Sequence, residues 1–375
     1  MNLSRRPLLT SLGAVGLTIA LPFSGLGGAF ALPPAMPPMR YVETNGIRMA
    51  VYEAGAGPTI VLLHGFPELA HSWRRQISAL AAAGYRVLAP DLRGYGQTDR
   101  PPEVDDYDIL HLMDDLVGLL DAVGVNKAVW MGHDWGGILA WQMALFHEKR
   151  TAAVISITTP FIPHWQYWLQ PEQINGLAPK GFKPDPSVDP LEQMRKIYSP
   201  DMYVLMIQDG DKADRLLSRD PARSFRTMVR KNVISPADYF ALPAQYRQMD
   251  FFTSLSVPAT EMLGEEILSA DDLAFFATSF EATGFTPANN WYRNLSRNWE
   301  AGRAVEQTVR VPSLMITAEN DVAFTPGMAE GMPRHVPDLK TVMIRGSGHW
   351  VLYEKPDKLN EEVLAWLERR IPRGS

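Results

Sequence analysis

Gly132-His133-Asp134-Trp135-Gly136 stands directly after the apolar run Ala128-Val129-Trp130-Met131 and directly before a stretch of helical character, residues 137–146. A wholly apolar run of this length reads as a strand buried on both faces. Small residues two before and two after a central position let the chain turn sharply from strand into helix, and the turn lifts one side chain above the sheet. It also aims the backbone N–H of the next residue, Trp135, at the same spot. The pattern is that of a nucleophile elbow. Its usual occupant is Ser; here it is Asp134. Taken alone, Asp134 reads equally well as a cap for the helix that follows, since Asp is a favoured N-cap.

Similar buried runs lie on either side. Thr59-Ile60-Val61-Leu62-Leu63, Val87-Leu88-Ala89-Pro90-Asp91 and Ala153-Val154-Ile155-Ser156-Ile157 are apolar, as are the late runs Ser313-Leu314-Met315-Ile316 and Thr341-Val342-Met343-Ile344. Helical stretches such as residues 111–123 separate most of them. Strands alternating with helices predict an α/β fold with a mostly parallel sheet and right-handed crossovers. Residues 40–55 alternate around Asn45-Gly46 and predict a hairpin. The alternation stops near Pro160 and resumes near Val311, and the segment between is rich in aromatics, Met and Pro with helical patterning. It adjoins the carboxyl ends of the strands, where open α/β sheets hold their ligands, so it is expected to be a helical lid. The expected organisation is an export signal over 1–31, a first core part over 32–160, a lid over 161–300 and a second core part over 301–375.

Two late loops supply partners for Asp134. Asp321 follows the strand ending at Ile316, in Thr317-Ala318-Glu319-Asn320-Asp321, and His349 follows the last strand, in Gly346-Ser347-Gly348-His349-Trp350. Nucleophile, acid and histidine in that chain order, all at strand carboxyl ends, form a catalytic triad. His349 would act as general base, with Asp321 fixing its tautomer and stabilising the imidazolium. Singly, each reads better as a turn or packed loop residue; the joint order and placement favour the triad. Glu319 is the second choice of acid. In His64-Gly65-Phe66-Pro67 the Phe66 N–H is expected to join that of Trp135 in an oxyanion hole, both residues also lining the substrate pocket. His64, His71 and Asp91 read as structural.

Composition narrows the chemistry. The chain of 375 residues has no cysteine, a formal charge of −6 and no basic block. Disulfides, thiolate metal sites and Cys nucleophiles are thereby excluded, and nucleic acid is disfavoured. No His-Glu-x-x-His spacing suggests a metal. The first residues form a short basic start with Arg5-Arg6, then an apolar, glycine-containing stretch to Ala29-Phe30-Ala31, a small-x-small cleavage pattern. The arginine pair resembles a twin-arginine export signal. The alternative is an uncleaved anchor, which Gly13, Gly16, Pro22, Gly25, Gly27 and Gly28 weaken. The proline-rich segment 32–38 reads as a linker.

Over nearly everything after the expected export signal the chain resembles the epoxide hydrolase family of the α/β-hydrolase fold. The resemblance rests on His64-Gly65-Phe66-Pro67, Asp91-Leu92-Arg93-Gly94-Tyr95-Gly96, the Asp134 elbow, Asp321 and His349. Two lid segments add to it: Asp201-Met202-Tyr203-Val204-Leu205-Met206-Ile207-Gln208 and Asn290-Trp291-Tyr292-Arg293-Asn294. In the first, Met206 and Ile207 stand where the family more often has an aromatic pair. The resemblance implies that Tyr203 and Tyr292 hydrogen-bond an epoxide oxygen. It also implies hydrolysis of a small apolar epoxide to a vicinal diol through an ester on Asp134, without cofactor or metal, and no stable membrane association once the signal is cleaved. A carboxylate nucleophile fits this chemistry: on an acyl carbon it would form an anhydride, on a strained alkyl carbon an ester. The nearest rival is a haloalkane-type dehalogenase, whose second halide donor would stand where this chain has Phe66. A fluoroacetate dehalogenase would place Arg where Trp135 stands. A non-catalytic binding module on the same fold is the alternative of another class.

Overall fold

The computed structural model describes residues 34–171, 178–231, 234–242, 250–258, 261–262 and 264–373. The expected export signal lies outside the described residues. Eight strands form one sheet: β1 (Met39–Thr44), β2 (Ile47–Ala54), β3 (Thr59–Leu63), β4 (Arg86–Pro90), β5 (Ala128–His133), β6 (Thr151–Ile157), β7 (Ser313–Ala318) and β8 (Leu339–Ile344). Their order is β1-β2-β4-β3-β5-β6-β7-β8. The β1–β2 hairpin turns at Asn45 and Gly46, both with positive φ, and pairs antiparallel with β4; the other pairs are parallel.

The order of the strands positions the site. From β3 the chain passes through α1 (Arg74–Ala82) to β4 on one side, then returns through α2 (Ile109–Ala122) to lay β5 on the other side of β3. This reversal opens a crevice at the carboxyl ends of β3 and β5, the place where doubly wound sheets bind ligands. Leu63 of β3 is in register with Gly132 of β5, so the loops that follow leave side by side.

The continuous apolar runs follow from burial on both faces. Ile60 and Leu62 pack with Trp73, Ile77 and Trp366 on one face, whereas Val61 and Leu63 pack with Leu116, Ile138 and Leu139 on the other. Helix α3 (Trp135–Phe146) is buried continuously from Trp135 to Ala144 because it runs through the middle of the second face.

Between β6 and β7 stand α4 (Pro190–Ile197), α5 (Tyr203–Ile207), α6 (Lys212–Ser218), α7 (Pro221–Met228), α8 (Pro236–Ala241), α9 (Phe251–Ser256), α10 (Ala270–Thr283), α11 (Thr286–Arg293) and α12 (Leu295–Gly302). The last runs beyond the expected boundary at residue 300. Val204, Met206, Phe276, Trp291 and Tyr292 of this insertion share one apolar core with the second face of the sheet. Polar ties reinforce the junction. Arg74 and His71 both reach Asp272 of α10, at 2.5 and 2.8 Å, and the Trp291 indole donates to the Arg93 carbonyl at 3.1 Å. Helix α13 (Val351–Glu354) and α14 (Pro356–Arg370) complete the core on the first face.

The elbow is closed by glycine. A Cβ on Gly136 would lie 1.9 Å from the Leu63 carbonyl oxygen, and one on Gly132 would lie 2.0 Å from that of Gly136. Backbone on both sides cannot yield as a side chain would. Gly136→Ala should therefore destabilise the fold by about 3 kcal/mol or more, the upper end of overpacking costs. Gly331→Ala, where nothing lies within 4 Å, should leave the melting temperature nearly unchanged. Comparative thermal melts check this; equal melting of the two variants would contradict it.

Candidate active site

Asp134 is held in a left-handed conformation, φ 52° and ψ −122°. Such a conformation costs a non-glycine residue on the order of 1–3 kcal/mol and persists only where its surroundings enforce it. Its side chain makes no capping bond to α3. Instead Oδ1 accepts the Phe66 N–H at 2.7 Å, and the nearby Trp135 amide favours the charged carboxylate. Of the two N–H groups expected to form an oxyanion hole, that of Phe66 thus already grips one oxygen of Asp134. Gly65 permits the approach, because a Cβ there would fall 2.4 Å from Asp134 Cβ.

The loops after β7 and β8 bring in the acid and the histidine. Asp321 is fully buried; its Oδ1 accepts the amides of Ala323 and Phe324 at 2.8 and 3.0 Å. Its Oδ2 faces Nδ1 of His349 at 2.9 Å. The opposite nitrogen, Nε2, stands 3.7 Å from Asp134 Oδ2, an ion-pair separation rather than a hydrogen bond. Glu319 accepts the Gly346 amide and lies 3.6 Å from Arg345, away from the histidine. His64 accepts the Leu92 amide and Asp91 those of Ala70 and Gln97, so both brace loops.

Above this triad the insertion presents Tyr203, on α5, and Tyr292, on α11. Their rings are 5.7 Å apart and nearly perpendicular. The Tyr292 ring packs edge-on against Phe66 and Trp135, at 5.3 and 5.0 Å. All seven contributions expected from the sequence, five side chains and two amides, therefore converge at one end of the sheet. Among the described residues no group of three or more His, Asp or Glu could hold a metal ion.

Residues 58–188 match the model of the α/β-hydrolase fold family. Epoxide hydrolase A of Mycobacterium tuberculosis is 38% identical over 338 residues, which cover 88% of this chain and 97% of that protein. The chain belongs to the epoxide hydrolase family. The crystal structure of epoxide hydrolase A from Mycobacterium thermoresistibile superposes with a TM-score of 0.74 at 36% identity, over 88% of this chain and 98% of that one. Bifunctional epoxide hydrolase 2 of Mus musculus is 35% identical over 88% of this chain but 55% of its own length. The chain spans about half the length of such mammalian relatives.

This member of the epoxide hydrolase family carries a second acid–imidazole pair that motif reading did not single out. His133 Nδ1 lies 2.7 Å from Glu68 Oε2, and its Nε2 lies 2.8 Å from the carbonyl oxygen of His349. Both ring nitrogens thus face oxygen atoms. Glu68 directly follows Pro67, and His133 directly precedes the nucleophile; only the adjacency of β3 and β5 makes them a pair.

Electrostatics set the protonation states. Burial pushes the Asp134 carboxyl above its ordinary range, while His349, His133 and the two amides work against that rise. For His349, burial opposes the charged form, but Asp321, then Asp134 and Glu68, outweigh it and raise the imidazole to about 9. Burial also drives both phenols upward, so Tyr203 and Tyr292 remain neutral donors. In the resting site His349 is thus an imidazolium up to about pH 9 and loses its charge above that. Asp134→Asn removes one of the charges that raise it. The His349 midpoint, followed by imidazole NMR, should then move down from about 9 toward the usual 6.5. An unchanged midpoint would mean that Asp134 and His349 are not coupled.

Proposed function

We propose that the chain hydrolyses epoxides to vicinal diols through a covalent ester on Asp134. The observation that carries this reading is a carboxylate gripped by the Phe66 amide, with a His–Asp pair behind it and two neutral phenols above it. Asp134 Oδ2, the oxygen turned toward His349, attacks an epoxide carbon. The carbon–oxygen bond of the strained ring breaks, and the alkoxide takes a proton from a phenol. Closure by the insertion keeps water out, so hydrogen bonds to the growing negative charge strengthen and lower the barrier.

Ester formation removes the charge of Asp134, one of the reasons His349 holds its proton. The imidazolium gives that proton to solvent, and the imidazole then accepts one from the water that bonds to the ester carbonyl carbon. Charge develops on Oδ1, which the Phe66 amide already grips. Collapse breaks the bond between the acyl carbon and the diol oxygen, which takes its proton from the His349 imidazolium. Asp134 is left as an acid whose proton restores the phenol, and His349 regains its proton from solvent, so each cycle consumes one epoxide and one water. The phenol pair favours this reaction over dehalogenation, where a departing halide requires no proton.

The N-terminal segment supports a proposal about location. Arg5-Arg6 and Ala29-Phe30-Ala31 fit export by the twin-arginine route with cleavage after Ala31. Outside the inner membrane the enzyme would remove alkylating epoxides before they enter, a detoxifying role.

His349→Gln should leave ester formation intact but slow ester hydrolysis by roughly two to four decades, the usual worth of a general base. Intact-protein mass spectrometry should show an adduct of the full substrate mass. Neither adduct nor slowing would sink the mechanism. Replacing Arg5 and Arg6 together by Lys should trap the protein in the cytoplasm on cell fractionation; unaltered export would refute the twin-arginine reading.

A further inference from the structure

The indole of Trp168 donates to the hydroxyl oxygen of Tyr203 at 2.6 Å. Trp168 is buried, 4% exposed, in a short helical turn over Tyr167–Leu169. Its carbonyl accepts the Tyr198 hydroxyl at 2.7 Å, which fixes the turn from the other side. The segment that delivers it is strained. Among the described residues five non-glycine positions have positive φ: Asn45, Asp134, Thr158, His164 and Trp165. One is the nucleophile, and three lie between the end of β6 and Trp168. Backbone strain of this kind persists where a geometry is over-determined, and it collects at working sites.

Hydrogen-bond chemistry gives the contact a direction. An indole N–H is a donor only, so Tyr203 can receive from Trp168 but cannot donate to it. The Tyr203 hydrogen is thereby turned away from Trp168. An N–H held against a phenol oxygen also stabilises the charge that oxygen acquires as it gives up its proton.

We infer that Trp168 is a positioning residue: its indole N–H orients the Tyr203 hydroxyl and makes it a stronger donor to the oxygen of the opening epoxide. The inference rests on the proposed epoxide hydrolysis and assigns a new residue to it. The Trp168 bond pulls the Tyr203 phenol down while burial, the larger effect, pushes it up, which accords with this role. Trp168 never touches the reacting carbon; it acts through one oxygen atom.

A double-mutant cycle on the full chain, with styrene oxide as the probe and single-turnover alkylation as the readout, tests this. Trp168→Phe keeps an aromatic ring and deletes the N–H. It should slow alkylation by roughly three- to tenfold, the worth of one hydrogen bond, with KM little changed. In a Tyr203→Phe background the same substitution should change the rate by less than about twofold, because the oxygen it acts on is gone. Equal slowing in both backgrounds would make Trp168 a packing residue and overturn the inference, as would a native rate in the single variant. If Trp168→Phe loses its cooperative melt, 3-benzothienylalanine at position 168 replaces N–H by sulfur at nearly the same volume, and the same outcomes decide. Failure of the unaltered enzyme to form diol from styrene oxide or from an aliphatic epoxide would instead overturn the proposed activity, and the role of Trp168 with it.

Discussion

The hydrogen bond from the Phe66 amide to Asp134 Oδ1 spans the loops of two neighbouring strands, and the rest of the site depends on it. A buried carboxylate without partners is costly enough to abandon its charge. Here it is tolerable because the loop after β3 lies against the elbow after β5. That proximity requires the strand order, with β5 laid on the far side of β3 from β4. It also requires glycine at 65, 132 and 136, where any side chain would overlap backbone or the nucleophile. The left-handed strain at Asp134 is balanced by the same contacts, so catalytic geometry and the stability of the elbow are one problem.

Much of this was legible in the sequence for a physical reason. Central strands buried on both faces must be apolar throughout, so β3, β5, β6 and β7 stood out, and the ends of β5, β7 and β8 located Asp134, Asp321 and His349. Glu68 and His133 were visible as letters but not as a pair, because their meeting is a consequence of strand adjacency. The insertion was harder. Among the described residues its helices other than α10 have eight residues or fewer, too few turns to declare a period, and α5 is only five residues long. Trp168 was hidden further, behind His164 and Trp165, two residues in a conformation that sequence rules assign to glycine.

Charge is layered through the site. Glu68 and His133 lie beneath, Asp134, His349 and Asp321 form the middle, and the neutral phenols lie above. The carbonyl of His349 accepts from His133, so the lower layer holds the backbone of the base while Asp321 holds its ring. Burial weakens solvent screening of all these groups, which is why a change of charge at Asp134 is felt by its neighbours. The insertion contributes no formal charge through its tyrosines. It contributes two neutral phenols, one of which accepts from the Trp168 indole.

The amides of Phe66 and Trp135 have a pharmacological consequence. In a serine hydrolase the equivalent amides wait empty for an oxygen that arrives with the substrate. Here the Phe66 amide is already occupied by an atom of the enzyme itself. Boronates, phosphonates and trifluoromethyl ketones derive their potency from placing an oxyanion in that vacancy, and this scaffold offers them none. On the proposed reaction, a tight inhibitor would address the two phenols instead, with a neutral acceptor oxygen. Selectivity against serine enzymes of the same architecture would then follow from which oxygen fills the oxyanion hole, not from the shape of the pocket.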